Sequence, residues 1–308
     1  MRQNFTPHKE QRDRKTSFIV KGDNKLFEFV LSKMGGMSKT AVKSLLSKKQ
    51  ISVNDKIITQ YDYPLTEGDK VEIDFVKRKA LQSAKLSILY EDNYIIVVNK
   101  SEGLLTTATD KQEDTTAFRI IMNHLKQQDM NNHLYIVHRL DRETSGVLIF
   151  AKDKETQKKL QENWHDIVLE KIYYALVEGV VQAESGTIHS WLKEEPKSKN
   201  VYSFDYDNGG MESFTDYKIV KTFQNHTLLE VNLRTGRKNQ IRVHLQSIGH
   251  PIVGDKKYGG NVSPIGRIGL HAARITLRHP VTNKIVTFEA PVPDKIMKFR
   301  EQRHLTNK

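Results

Sequence analysis

The chain contains no cysteine, which excludes disulfides, thiolate metal sites and cysteine nucleophiles and suits a reducing compartment. No run approaches the roughly 18 apolar residues that a membrane span requires. The segment Met1-Arg2-Gln3-Asn4-Phe5-Thr6-Pro7 lacks the apolar stretch of a secretory signal, so a cytoplasmic location is expected. Metal-ligand spacing is missing too. His138, His244, His250 and His271 form no H-E-x-x-H or similar arrangement, and they are expected to be hydrogen-bonding structural groups. No strand pattern opens into a G-x-G-x-x-G turn, and Gly209-Gly210 and Gly259-Gly260 read as loop glycines. These absences predict a chain that needs neither metal nor cofactor and has no membrane partner.

What is present is a chain of 308 residues, 37% of them hydrophobic, enough for a large core and for two domains. Its net charge of +12 is unevenly placed: residues 1–85 hold 18 Lys and Arg against 10 Asp and Glu, or +8. Such a segment suits a polyanion, although a basic block is also an ordinary solvated face.

The pattern within that first part is compact. After a polar tail, Leu26-Phe27-Glu28-Phe29-Val30-Leu31 starts a short helix that Gly35-Gly36 ends. Ser38 is placed to cap a second helix, with Ala41, Val42, Leu45 and Leu46 on one face and Lys39 and Lys43, four apart, on the other. Ile51 to Ile57 reads as a hairpin turning at Asn54-Asp55, and Val71-Glu72-Ile73-Asp74-Phe75 alternates as a strand. The expected organisation is a basic polar tail at 1–22, a small α/β domain at 23–76, a basic linker at 77–85 and a larger domain at 86–308.

In the larger part, Ile88 to Tyr90 and Tyr94 to Val98 flank Asp92-Asn93 as a hairpin. A helix is predicted from about Thr115 to Gln127, with Phe118, Ile121, Met122 and Leu125 on one stripe. Tyr135-Ile136-Val137 and Val147-Leu148-Ile149-Phe150 read as buried strands that flank a polar loop. A strand from Leu228 to Leu233 turns at Gly236 into a helix with Ile241, His244, Leu245 and Ile248 inward, which Gly249 ends. Ala273 to Leu277 and Ile285 to Ala290 form a closing hairpin. The predicted class is α+β, with a mixed, largely antiparallel sheet covered on one face.

The polar loop reads His138-Arg139-Leu140-Asp141-Arg142-Glu143-Thr144-Ser145-Gly146. An Asp in such a loop is ordinarily a turn former or an N-cap, but here its context is an HRLD-x-x-TSG string. A second block follows at Arg234-Thr235-Gly236-Arg237-Lys238-Asn239-Gln240-Ile241-Arg242-Val243-His244-Leu245 and continues through Gly249-His250-Pro251-Ile252-Val253-Gly254-Asp255. Between them lies Lys171-Ile172-Tyr173-Tyr174-Ala175. Together these closely resemble the signatures of the pseudouridine synthase branch that modifies ribosomal and transfer RNA, over roughly residues 86 to 293. The stretch from Leu26 to Phe75 resembles, more loosely, a ribosomal-protein-S-four-like RNA-binding domain. Two departures are visible. The family's Lys-Pro-x-Gly turn reads Lys100-Ser101-Glu102-Gly103, which predicts a more flexible turn. Its usual histidine is Asn239, which is expected to cap the helix that follows.

The resemblance implies that Asp141 is the catalytic carboxylate, that Arg242 pairs with it, and that Tyr173 stacks against the target base. It implies that Arg139 enters the space vacated by a flipped nucleotide. With Arg237, Lys39 and Lys43, Arg139 completes the expected RNA-binding set. By residue type alone, Arg242 is more commonly a surface helix arginine and Tyr173 a strand aromatic in the core, with Tyr174 pointing to the opposite face as the alternative core residue. Isomerising uridine to pseudouridine breaks the glycosidic bond, turns the base and rejoins it through carbon, with no net change of atoms. An aspartate, ordinarily ionised at neutral pH, serves as nucleophile or as the base that takes a sugar proton, and the sequence leaves both open. The target uridine must leave its stack, which costs least in loops and bulges. Large-subunit ribosomal RNA is the expected substrate, because a second basic module suits a large folded RNA, and no oligomer is required. Transfer RNA and a non-catalytic ribosome-assembly role are the alternatives.

Overall fold

A computed structural model describes residues 15–74, 81, 83–108, 115–261 and 263–300. Most of the expected tail and residues 77–80 and 82 of the expected linker lie outside them, as does Phe75 at the end of its expected strand. The chain divides into two compact units, Met1–Ala80 with Gln127–Met130, and Leu81–Lys126 with Asn131–Lys308.

The first unit contains β1 (Lys15–Ile19), β2 (Asn24–Lys25), α1 (Leu26–Lys33), α2 (Lys39–Ser47), β3 (Ile51–Val53), β4 (Lys56–Ile57), β5 (Pro64–Leu65) and β6 (Lys70–Asp74). Its antiparallel sheet has the order β1-β6-β3-β4, and β2 pairs with β5. The Ser38 hydroxyl accepts from the Ala41 amide at 3.2 Å, which starts α2 as expected. Val42, Leu45 and Leu46 then turn inward onto Phe29, Val30, Val53 and Val71. Lys39 and Lys43 are exposed on the other face. The hairpin turns through Asn54 and Asp55, both with positive φ (48° and 66°), a conformation these two residue types tolerate. One expectation fails: Lys15–Ile19, assigned to the tail, is a strand paired with β6. Its Lys-Thr-Ser start hides a half-buried Phe18 from any reading that requires an apolar run.

The second unit runs β7 (Leu86–Glu91), β8 (Ile95–Lys100), α3 (Ala117–Gln128), β9 (Tyr135–Ile136), β10 (Ser145–Ala151), α4 (Lys154–Glu162), α5 (Trp164–Ile167) and β11 (Val168–Glu178). It continues with β12 (Ser185–Glu194), β13 (Val201–Phe204), β14 (Met211–Thr222), β15 (His226–Leu233), α6 (Gln240–Ser247), β16 (Leu270–Arg278), β17 (Ile285–Glu289) and α7 (Asp294–Met297). Eleven strands make one sheet, with the path β13-β12-β14-β15-β11-β16-β10-β8-β7 and with β17 and β9 beside β16 and β10. The fold is α+β, and the sheet is mixed and mostly antiparallel.

Among the described residues, the one parallel pairing between strands, β10 with β16, spans only Ser145↔His271 and Gly146↔Ala272 and joins the two antiparallel halves. Gly146 is required there. Its φ is +117°, and a Cβ would sit 2.0 Å from the Ala272 carbonyl oxygen. The strands at this seam are buried throughout β10 and nearly so in β8, so the expectation of one covered face holds only for outer strands such as β12, which alternates. Ile248, expected inward, is 37% exposed because α6 ends at Ser247 and the chain turns through Gly249. The buried face of α3 carries Ala117, Ile121, His124 and Leu125, whereas Phe118 and Met122 are only half-buried.

Candidate active site

Asp141 lies in the loop between β9 and β10, and the backbone on both sides of it is tied down. The Thr106 hydroxyl donates to the Leu140 carbonyl at 2.9 Å and accepts from the Leu140 amide at 3.2 Å. On the far side the Arg142 carbonyl accepts from the Gly103 amide at 2.7 Å and from Lys100 Nζ at 3.3 Å. Lys100 is fully buried and also donates to the Ser101 and Leu104 carbonyls at 3.0 and 2.8 Å. Burial lowers its pKa to about 8, against the opposing pull of Asp141 and Glu143. The turn that lacks proline is therefore held by a buried ammonium rather than by ring stiffness. Glu102 of the same turn adds an ion pair with Arg267 at 2.8 Å.

Arg242 projects from α6 and meets Asp141, 101 residues earlier, with Nη1 3.2 Å from Oδ2. Asp255 grips the guanidinium from behind through two hydrogen bonds, Nε to Oδ2 at 2.7 Å and Nη2 to Oδ1 at 2.8 Å. The side chain of Asp255 is 1% exposed and that of Arg242 is 8%. Burial opposes the charge on Arg242, but the hydrogen bonds and charge of Asp255, with Asp141 beyond, outweigh it and raise its pKa. The result is a planar cation with one edge filled by Asp255 and its Nη1 turned to Asp141. The Tyr258 ring lies against the guanidinium, 5.1 Å from its carbon.

Asn239 behaves differently from its expected role. It occupies the N-cap position of α6 but with φ 56° and ψ 18°, and its side chain makes no cap hydrogen bond. The left-handed backbone turns the amide away from the first helical N–H groups and toward the site. There Nδ2 donates to the Tyr258 hydroxyl at 2.8 Å and Oδ1 accepts from Arg242 Nη1 at 3.4 Å. The turn before α6 is closed instead by Gln240, whose Oε1 accepts from the Arg237 amide at 2.9 Å.

An open cleft of about 210 Å³ is lined by Arg139, Asp141, Tyr173, Arg237, Asn239 and Arg242, among others. Tyr173 stands on β11, half-buried. Burial, and then the charge of Asp141, raise its pKa, so the phenol stays protonated at neutral pH and can donate but not abstract a proton. Tyr173 and Tyr174 are both half-buried, packed against the core from the cleft and from the opposite face, and Tyr174 donates its hydroxyl to Glu230 at 3.3 Å. Arg139 is exposed at the cleft rim, and Arg237 is half-buried there. Five of the seven expected site residues thus meet in one place, while Lys39 and Lys43 belong to the other unit.

The four histidines in the motif regions each make a hydrogen bond. His138 Nε2 accepts from the Ile149 amide at 3.0 Å, His244 bonds Ser190 and Thr215 at 2.9 Å each, and His271 bonds Ser145 at 2.7 Å. His250 Nδ1 lies 2.9 Å from the Glu178 carbonyl. Burial holds His244 and His271 neutral, with pKa values lowered to about 4. Asp255, Lys100 and Tyr258 carry no role in the sequence reading. For Asp255 a signal was available: it ends the Gly254-Asp255 string behind an apolar run, and a buried carboxylate demands a cation.

The cleft thus joins a carboxylate held by an arginine, a second carboxylate behind that arginine, a protonated tyrosine and rim arginines, an arrangement that suits an anionic substrate. Residues 94–247 match the RNA pseudouridylate synthase family, and the chain belongs to it. It is 32% identical to the RNA pseudouridine synthase YhcT of Bacillus subtilis, over 83% of this chain and 86% of that one. It is 28% identical to the protein named ribosomal large subunit pseudouridine synthase D of Blochmanniella floridana, over 88% and 92%. The human RNA pseudouridylate synthase domain containing 4 shares the fold, with TM-score 0.56, 22% identity and coverage of 68% of this chain and 90% of that one. No helix among the described residues is long and apolar enough to cross a membrane.

Proposed function

We propose that this chain isomerises uridine to pseudouridine within large-subunit ribosomal RNA, with Asp141 as the catalytic carboxylate. The observation that carries the reading is the Asp141–Arg242–Asp255 chain, in which Arg242 engages only Oδ2 of Asp141 and leaves Oδ1 for substrate. A free, oriented carboxylate oxygen serves either form of the reaction: attack at the anomeric carbon, or removal of a sugar proton so that the base departs. In both, the glycosidic bond to nitrogen breaks, the base turns, and a bond to ring carbon forms as the carboxylate–sugar ester breaks or the sugar proton is returned; the proton leaving that carbon is matched by one taken up at the freed ring nitrogen. Arg242 holds the carboxylate in a fixed orientation through its hydrogen bond to Oδ2. Tyr173 presents its ring to the base, and Arg139 takes the place left in the RNA stack. Arg237 at the cleft, with Lys39 and Lys43 on α2, grips phosphates.

The ribosomal substrate is favoured because one relative's name specifies the large ribosomal subunit and because the amino-terminal unit offers a second basic surface, in line with an RNA-binding role for that unit. The test is to incubate the protein with total RNA from a strain lacking it and to map pseudouridine by sequence. New pseudouridine in large-subunit RNA is the expected result. A signal confined to transfer RNA replaces the substrate, and none at all defeats the reading.

A further inference from the structure

We propose that Lys171 anchors a phosphodiester of the RNA strand next to the reacting nucleotide, in a second cavity that adjoins the catalytic cleft. The inference rests on the RNA-uridine reading above and adds a subsite to it.

The second cavity, also about 210 Å³, is lined by Trp164, His165, Glu170, Lys171, Leu233 and Arg234, among others. Leu233 lines the catalytic cleft as well. Most charges around this cavity are already matched. Arg234 is engaged by Asp216 at 2.7 Å, and Glu170 by Arg274 at 3.1 Å. Lys171 is not. Its Nζ donates to the Thr235 carbonyl at 3.1 Å, and among the described residues it has no carboxylate within ion-pair distance. An ammonium carries three N–H donors, so two remain for a ligand.

The cost of this arrangement is visible in its electrostatics. Burial lowers the Lys171 pKa to about 8, and the charge of Arg237 pushes it the same way. A desolvated cation facing a second cation is unfavourable unless an anion completes the set. The ammonium also stands at the partition between the two cavities. Gly236 lines the catalytic cleft, and a Cβ on it would lie 3.7 Å from Lys171 Nζ. Arg237, on the cleft side, and Lys171, behind it, therefore face the same length of chain from two sides. A polyanionic strand that places its nucleoside over Asp141 supplies the missing charge through a neighbouring phosphate.

The test compares wild type with Lys171→Met, Lys171→Gln and Lys171→Arg in the full chain. Total RNA serves for kinetics, and a fluorescent ten-nucleotide oligouridylate serves for binding across a salt titration. The expected result for Met and Gln is a rise of about ten-fold in KM, with kcat nearly kept, and a salt slope lower by about 0.7 for oligouridylate. Lys171→Arg recovers both. A purely structural role in holding the Thr235 carbonyl predicts the opposite: Gln, which keeps a donor, is rescued, and the salt slope does not move. A second readout needs no variant. Because its pKa lies near 8, Lys171 is reductively methylated at pH 7.5 ahead of ordinary lysines, and oligouridylate protects it several-fold. Equal modification with and without RNA overturns the proposal. If wild type is active and Lys171→Gln matches it in KM and salt slope, only the subsite fails; if wild type makes no pseudouridine, the functional reading fails first.

Discussion

The two places where this enzyme is expected to meet RNA are built on opposite plans. Around Asp141, every participating group is fixed by another: Thr106 and Lys100 hold the loop, Asp255 fills Arg242, and Tyr258 lies against the guanidinium. On α2, Lys39 and Lys43 stand in solvent on a helix whose other face forms a core. The contrast follows from what each must do. Chemistry at one carbon needs a carboxylate placed within a fraction of an ångström, and desolvation strengthens its interactions. Holding a long polyanion needs only hydrated cations that adapt, since phosphates position and do not report sequence.

The sharpest break of that contrast is Asp141→Asn. It is isosteric, removes the charge and the proton-accepting oxygen, and is expected to reduce turnover by at least about 10³-fold while RNA affinity and thermal stability stay near wild type. Near-full turnover in a pseudouridine assay would end the assignment.

Arg242→Met is expected to lose both activity and stability, the latter by about 3–5 kcal/mol, because Asp255 is left charged and unpaired inside. The double variant Arg242→Met, Asp255→Leu should regain most of the stability in urea unfolding and none of the activity. Recovery of activity would show that the pair only fills space.

Acid should separate the two units. Unfolded histidines take up a proton near pH 6.5, whereas His244 and His271 in the folded protein do so near pH 4. Between those values the unfolded state binds more protons, so stability is full above pH 6.5 and declines as pH falls toward 4. The decline reaches at most about 1.4 kcal/mol per histidine for each step of one in pH. Residues 15–74 contain no histidine. Hydrogen exchange at pH 5 against pH 7.5 should therefore show loosening around β10, β16 and α6 with the amino-terminal strands less affected.

The mildest effect belongs to the solvated surface. Lys39→Ala with Lys43→Ala should lower affinity for folded ribosomal RNA only several-fold and reduce the salt slope by about 0.7 to 0.9 for each phosphate no longer neutralised. Turnover on a short stem-loop should stay unchanged. An unaltered salt slope would make α2 a merely solvating face.

Much of this site could be read from the chain because its pieces sit in short, distinctive strings. Asp141, Arg242 and Tyr173 came from three such strings, and the Ser38 cap and the Asn54-Asp55 turn from local chemistry that needs no tertiary partner. What escaped depends on long-range pairing. Lys100 reads only as the first residue of a turn until three carbonyls converge on it. Asn239 reads as a helix cap until its left-handed backbone turns the amide to Tyr258. Ile248 fits the helical period yet falls one residue beyond the helix, and β1 needs β6, more than fifty residues on, to be a strand at all.

The two-pair parallel seam at Gly146 has a consequence for biosynthesis. Asp141 and Tyr173 leave the ribosome early, but Asp255, which orients Arg242, and β16, which receives β10, follow Tyr173 by roughly eighty to one hundred residues. A nascent chain thus carries the Asp141 loop, its backbone tied by Thr106 and Lys100, for seconds before Arg242 and Asp255 can orient the carboxylate. The same late arrival makes the catalytic centre a check on completeness: a chain broken off before β16 keeps the HRLD string but has no seam to hold it in place.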